Sequence, residues 1–261
     1  MRCLVLGSVF AFFSGVRSST SVCGPVQGTD PLPRSGDLAF RSLLHVRDLG
    51  ATHVPPPPFD LYLVTDRNQT EGRDLLWVLE CALDGGVEAV QLREKDLAGK
   101  ELFLLAEAAR KLTQHYGAAL LVNDRIDVAL AIGADGVHLG RASLPITAAR
   151  ALLGAQKFIG VSTHSPEEAQ EAEAQGADFV VFGPVYFTPS KASYGAPQGL
   201  AALKKTVEKI SSPVYAIGGL KPGNVLEAKR TGIRGIALIS AIMSAPYPKK
   251  AAEEIIGLLR R

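Results

Sequence analysis

The run Gln91-Leu92-Arg93-Glu94-Lys95 follows an apolar stretch and sets two cations around one acid. Charge gathered at the end of a strand suits an anion; a solvated loop with one local ion pair is the alternative. A third cation, Lys191, sits in the hydroxyl-bearing run Thr188-Pro189-Ser190-Lys191. Cations converging from separate loops bind phosphate or diphosphate oxygens, with guanidinium forks acting bidentately. Asp124 follows Asn123 at another strand end. A carboxylate and diphosphate oxygens together hold Mg2+, although Asp124 could equally be the N-cap of a helix over 126–132. Gly218-Gly219 and Ile239-Ser240 close the set. Small residues there let backbone N–H groups and a helix N-terminus approach a phosphomonoester. His138 reads as a packed strand histidine, and His164 as part of a helix cap with Ser165.

Eight short apolar runs must position these residues: 61–65, 88–92, 118–122, 136–139, 158–162, 179–182, 214–217 and 235–239. Amphipathic patterns lie between them, such as 102–116 and 166–175. Strand and helix in alternation predict a parallel sheet, and eight such units in about 200 residues predict a closed (β/α)8 TIM barrel. In that fold the strand C-termini build the active site. Gly86, Gly133, Gly176 and Gly232 each stand two or three residues before a strand. A left-handed glycine ending a helix accounts for that punctuation. It falls before every second strand, which favours equivalent positions around a ring.

A chain of 261 residues suffices for one large α/β domain or two small ones. Its 21% charged and 47% apolar residues are ordinary for a soluble globular protein. A net charge of +2, with no basic helix interleaved with aromatics, gives no reason to expect nucleic acid. Cys3, Cys23 and Cys81 have neither metal-site spacing nor a disulfide framework.

Residues 1–58 differ from the rest. Arg2 precedes a short apolar run over 3–13, which resembles a secretory signal but is too short to span a bilayer. No sustained periodicity follows, and the segment ends in Pro55-Pro56-Pro57-Pro58, a stiff extended spacer. We read 1–58 as an extension outside the fold and 59–261 as the barrel. The extension is a signal, a leader or a start assigned too far upstream. The last is favoured, with the cytoplasm as location, because the body reads as a cytosolic enzyme.

Seven segments in order, 91–95, 122–125, 135–140, 160–164, 182–191, 216–220 and 240–242, resemble the thiamine phosphate synthase family. The corresponding family patterns are Q-L-R-x-K, V-N-D-x, D-G-V-H-L-G, G-V-S-x-H, F-G-P-V-F-x-T-x-[ST]-K, A-I-G-G-I and S-A-I. The resemblance covers 61–259. It implies a transferase that joins a pyrimidine diphosphate to a thiazole phosphate, giving thiamine phosphate and diphosphate. It implies that Gln91, Arg93, Lys95, Asn123, Ser162 and Lys191 hold the pyrimidine diphosphate and that Asp124 binds Mg2+. Arg93, Lys95 and Lys191 would stabilise the leaving group, while Thr188, Ser190, Gly219, Ile239 and Ser240 would hold the thiazole phosphate. The expected partners are these small molecules, with no membrane and with homo-oligomerisation left open. The chain departs from the family at Arg141-Ala142-Ser143, where Gln, an acid and Asp are usual and that Asp is a second metal ligand. Thiazole tautomerase, a related isomerase, carries histidine where this chain has Pro184. A paralogue that grips thiazole phosphate without turnover is a third reading.

Overall fold

The computed structural model describes residues 57–189 and 196–261. Each of the eight apolar runs forms a strand: β1 Leu61–Val64, β2 Ala89–Leu92, β3 Ala119–Asn123, β4 Gly136–Leu139, β5 Phe158–Thr163, β6 Phe179–Phe182, β7 Val214–Ile217 and β8 Gly235–Leu238. All pairings are parallel, in sequence order, and β8 closes the ring on β1 through Leu61–Ile236 and Leu63–Leu238. The connecting helices are α1 Leu75–Asp84, α2 Gly99–His115, α3 Ile126–Ala131, α4 Ile146–Leu153, α5 Pro166–Ala174, α6 Gly199–Lys209 and α7 Val225–Lys229; α8 Ser240–Met243 and α9 Pro248–Leu259 follow β8. The TIM barrel expected from periodicity is therefore the fold. No helix among the described residues is long and apolar enough to cross a membrane.

The strands are apolar on both faces because a barrel wall is covered on both. Leu61, Leu63, Val90 and Leu92 pack under the helices, whereas Tyr62, Val64, Ala89, Phe179 and Tyr215 fill the lumen. Phe59, Tyr62, Phe179 and Tyr215 form an aromatic plug with neighbouring centroids 5.2–5.7 Å apart. The neighbouring strands carry glycine at the register partners of two of these rings, Gly160 beside Phe179 and Gly235 beside Tyr215. A Cβ on Gly160 would stand 2.3 Å from the Phe179 ring, and one on Gly235 would stand 2.8 Å from Tyr215.

Helix ends follow local chemistry. Asp74 accepts from Trp77 N at 3.0 Å to start α1, and Ser165 accepts from Glu168 N at 3.1 Å to start α5, with Pro166 as its first residue. Helix α2 begins three residues before the expected 102 because Glu101 reaches back to Ala98 N at 3.3 Å. The four punctuating glycines do adopt left-handed φ, at 92°, 63°, 94° and 90°. Gly117 and Gly154, before β3 and β5, are left-handed too, so the device is not confined to every second unit.

Three copies carry a carboxylate two residues after the glycine. Glu88 accepts from Asp60 N (2.8 Å), Asp135 from Leu120 N (2.8 Å) and Asp178 from Ile159 N (2.6 Å). Each also meets an arginine: Arg260 at the C-cap of α9, Arg110 on α2 and Arg150 on α4, respectively. These acids close the N-terminal rim of the barrel, the end where such features stabilise the fold rather than catalyse.

Candidate active site

At the opposite rim, β2 carries Gln91 and ends at the charged run. Gln91 is buried, and its Nε2 has no hydrogen-bond partner among the described residues. Glu94 does not share the fate of its neighbours. Its side chain is 1% exposed and turns toward β1, where Oε1 accepts from Thr65 Oγ1 at 2.6 Å. Its Oε2 accepts from Arg67 N at 3.2 Å and Arg67 NH1 at 3.4 Å. Arg67 also grips Asp96 with two bonds of 2.6 Å. Arg93 and Lys95, by contrast, make no ion pair among the described residues. The acid read as one side of an anion cup is structural, and the two cations alone are open to an anion.

Asp124 stands at the end of β3 in a left-handed conformation, φ 60°, which is uncommon for a residue with a Cβ and marks a constrained position. One oxygen accepts from Asn123 Nδ2 at 2.7 Å, and the other pairs with Ser143 Oγ. Ser143 Oγ also accepts from Gly140 N at 2.6 Å, which ties down the loop after β4. Asp124 therefore does not cap α3; the N-cap position is Arg125, with no capping side-chain bond. A cleft of about 240 Å³ opens here, lined by Glu94, Lys95, Asn123, Asp124 and Arg125. Among the described residues, no three His, Cys, Asp or Glu side chains converge as metal ligands. The Asp124 carboxylate and the Ser143 hydroxyl offer oxygen, while Asn123 turns its Nδ2 to Asp124. That oxygen pair fits a hard cation that takes its remaining ligands from water and phosphate oxygens.

The floor of the rim is polar and buried. His138 on β4 is 3% exposed, and its Nε2 meets Ser162 Oγ at 2.9 Å. Its Nδ1 has no partner among the described residues, and the ring packs beside Tyr62 and Phe179. Burial pushes this imidazole down to about 3, with Arg93 and Lys95 adding to the fall and Asp124 opposing it. It is neutral at any working pH and can serve only as a hydrogen-bonding group. His164 is exposed and bonded to Glu168 through its backbone N–H (2.7 Å) and Nδ1 (3.2 Å), so it belongs to the start of α5.

The last part of the rim is built from backbone. Gly218 and Gly219 follow β7 with φ of 98° and 65°. A Cβ on Gly219 would meet Phe187 O at 2.5 Å, and one on Gly218 would meet Pro184 Cα at 2.6 Å. The glycine pair is thus required by the approach of the loop after β6 as well as by its own conformation. Helix α8 starts directly after β8, with Ile239 at its N-cap and Ser240 as its first residue. In that first turn Ile242 N bonds back to Ile239 O at 3.1 Å, and the N–H groups of Ser240 and Ala241, which have no helical partner, are available to an anion. Thr188 is half-buried in the loop after β6; Ser190 and Lys191 lie outside the described residues. The barrel thus places Gln91, Arg93, Lys95, Asn123, Asp124, Ser162, Gly219, Ile239 and Ser240 at strand C-termini. Sequence reasoning placed Thr65 and Arg67 at the end of the first strand but gave them no role. Their signal, a hydroxyl and a cation directly after β1, becomes informative only when paired with Glu94 and Asp96.

The thiamine monophosphate synthase family model matches residues 61–242. A putative thiamine-phosphate synthase of Geobacter sulfurreducens is 56% identical over 201 residues, 77% of this chain and 94% of that protein. The thiamine-phosphate synthase of Clostridium novyi is 46% identical over 185 residues, 71% of this chain and 91% of that one. Among solved structures, thiamine phosphate pyrophosphorylase from Pyrococcus furiosus superposes with a TM-score of 0.71 at 40% identity, over 77% of this chain and 96% of that chain. A barrel with this rim, matched along almost the whole length of these relatives, belongs to the thiamine monophosphate synthase family.

Proposed function

We propose that the chain condenses a pyrimidine-methyl diphosphate with a thiazole phosphate to give thiamine phosphate and diphosphate. The bond from the pyrimidine methylene to the diphosphate oxygen breaks, and its electron pair leaves with the diphosphate. A bond from the same carbon to the thiazole nitrogen forms. No proton is abstracted, which suits a rim whose buried histidine stays neutral. Arg93, Lys95 and Lys191 take up the charge that develops on the leaving group. Gln91, Asn123 and Ser162 hold the pyrimidine diphosphate. Thr188, Ser190, Gly219, Ile239 and Ser240 hold the thiazole phosphate, so that two bound reactants face one another. Mg2+ bound at Asp124 would supply further charge neutralisation on the diphosphate. The observation that supports this reading is that Lys95 and Asp124 line one cleft, with Arg93 on the same strand end and neither cation ion-paired among the described residues, while Gly219 and the start of α8 follow β7 and β8 on the same rim.

The test is an assay of the purified protein for thiamine phosphate from the two phosphorylated precursors, with and without Mg2+. Product is expected, with a rate that rises with Mg2+. Tight binding of thiazole phosphate without product would instead identify a binding paralogue. Turnover of a carboxythiazole isomer alone would identify a tautomerase, a reading disfavoured by Pro184 at the position of its histidine.

A further inference from the structure

The segment 93–96 alternates base and acid: Arg93, Glu94, Lys95, Asp96. Left to itself such a run neutralises itself, and an anion would have to compete with two acids for two bases. The fold prevents this with one residue from another strand end. Arg67 holds Asp96 through two bonds of 2.6 Å and Glu94 through its NH1 and its backbone N–H. Thr65 completes the clamp, because its hydroxyl donates to Glu94 at 2.6 Å and accepts from Arg93 N at 2.9 Å. Glu94 is thereby turned inward, and the Arg93 backbone is pinned beside it.

We infer that Arg67 is a positioning residue that sequesters Glu94 and Asp96, and so keeps Arg93 and Lys95 free for a diphosphate. This rests on the reading of Arg93 and Lys95 as diphosphate ligands. Arg67 itself does not touch the substrate. Its planar fork suits the task, since it can engage two carboxylates at once and cannot lose its charge. Without it, Glu94 is a buried carboxylate lacking its counter-charge, and the nearest cations available are the two that the site requires.

Inorganic diphosphate, titrated calorimetrically with Mg2+ in fixed excess, is the probe. Arg67→Ala should weaken its binding by about tenfold and raise KM for the pyrimidine diphosphate in step. The saturated rate should change far less. The decisive variant is Arg67→Ala combined with Glu94→Gln and Asp96→Asn. It removes the acids along with their keeper, so binding should return to within about threefold of the parent. A purely structural role makes the triple variant as weak as the single one, and that result overturns the inference. So does unchanged diphosphate binding in Arg67→Ala. If the single variant fails to fold, the triple variant still decides, since it leaves no buried charge without a partner. A parent protein that binds no diphosphate at all overturns the diphosphate reading itself, a distinct outcome.

Discussion

Ser143 shows how one side chain would set the character of the Mg2+ site proposed at Asp124. Its hydroxyl pairs with Asp124 and is itself held by Gly140 N at 2.6 Å. It therefore occupies a place from which a carboxylate would reach the same cation. As a hydroxyl it adds no charge, and the neighbourhood of Asp124 holds two cations, Arg93 and Lys95, which already bear on His138. Affinity for a hard cation rises with the number of charged oxygen ligands. Ser143→Asp is expected to tighten Mg2+ binding by about tenfold, measured by titration with Mn2+ as a paramagnetic reporter. In the metal-free protein the two carboxylates repel one another, so the same variant should melt at a lower temperature in chelator and regain stability when Mg2+ is added. An unchanged metal titration would place the loop 140–145 away from the metal.

At the scale of elements, β5 and β8 give up side chains at Gly160 and Gly235 so that β6 and β7 can carry Phe179 and Tyr215. Gly160 is the clearest case. Its missing Cβ would lie 2.3 Å from Phe179 Cζ and 2.9 Å from His138 Nδ1. Neither ring can retreat, since Phe179 packs against Phe59, Tyr62 and Tyr215 and His138 is bonded to Ser162. Gly160→Ala is expected to cost about 1–3 kcal/mol of stability, read from chemical denaturation. It should also lower activity beyond the loss of folded protein, because displacing His138 moves Ser162. The strand runs were visible in the sequence because parallel barrel strands are short, apolar on both faces and bounded by glycine. The division of labour between rings and glycines was not. It depends on which residues share a layer of the lumen, and register decides that.

For the whole molecule, the family match begins at residue 61, and the Geobacter protein is covered over 94% of its length by 201 residues of this chain. The barrel is therefore the unit shared with these relatives. A chain beginning at Pro57 is expected to keep kcat/KM within about twofold of the full-length protein, compared in the same thiamine phosphate assay. A larger loss would assign the first 56 residues a part in the reaction.

The sequence by itself determined the strand order, the barrel and which residues fall at the strand C-termini. These follow from period, punctuation and short motifs, all of them local. It also marked Ser143 as a departure from the family's metal-binding pattern. Only the tertiary structure decided where the charges go. Glu94 looked like a partner of Arg93 and Lys95, its neighbours in sequence, and is instead held by Thr65 and Arg67 from another strand end. Asp124 could have capped a helix and is held by Asn123 and Ser143 instead. Ion pairs and hydrogen bonds reward distance and direction in space. Those are set by the closure of eight strands and their register, which the order of residues along the chain does not state.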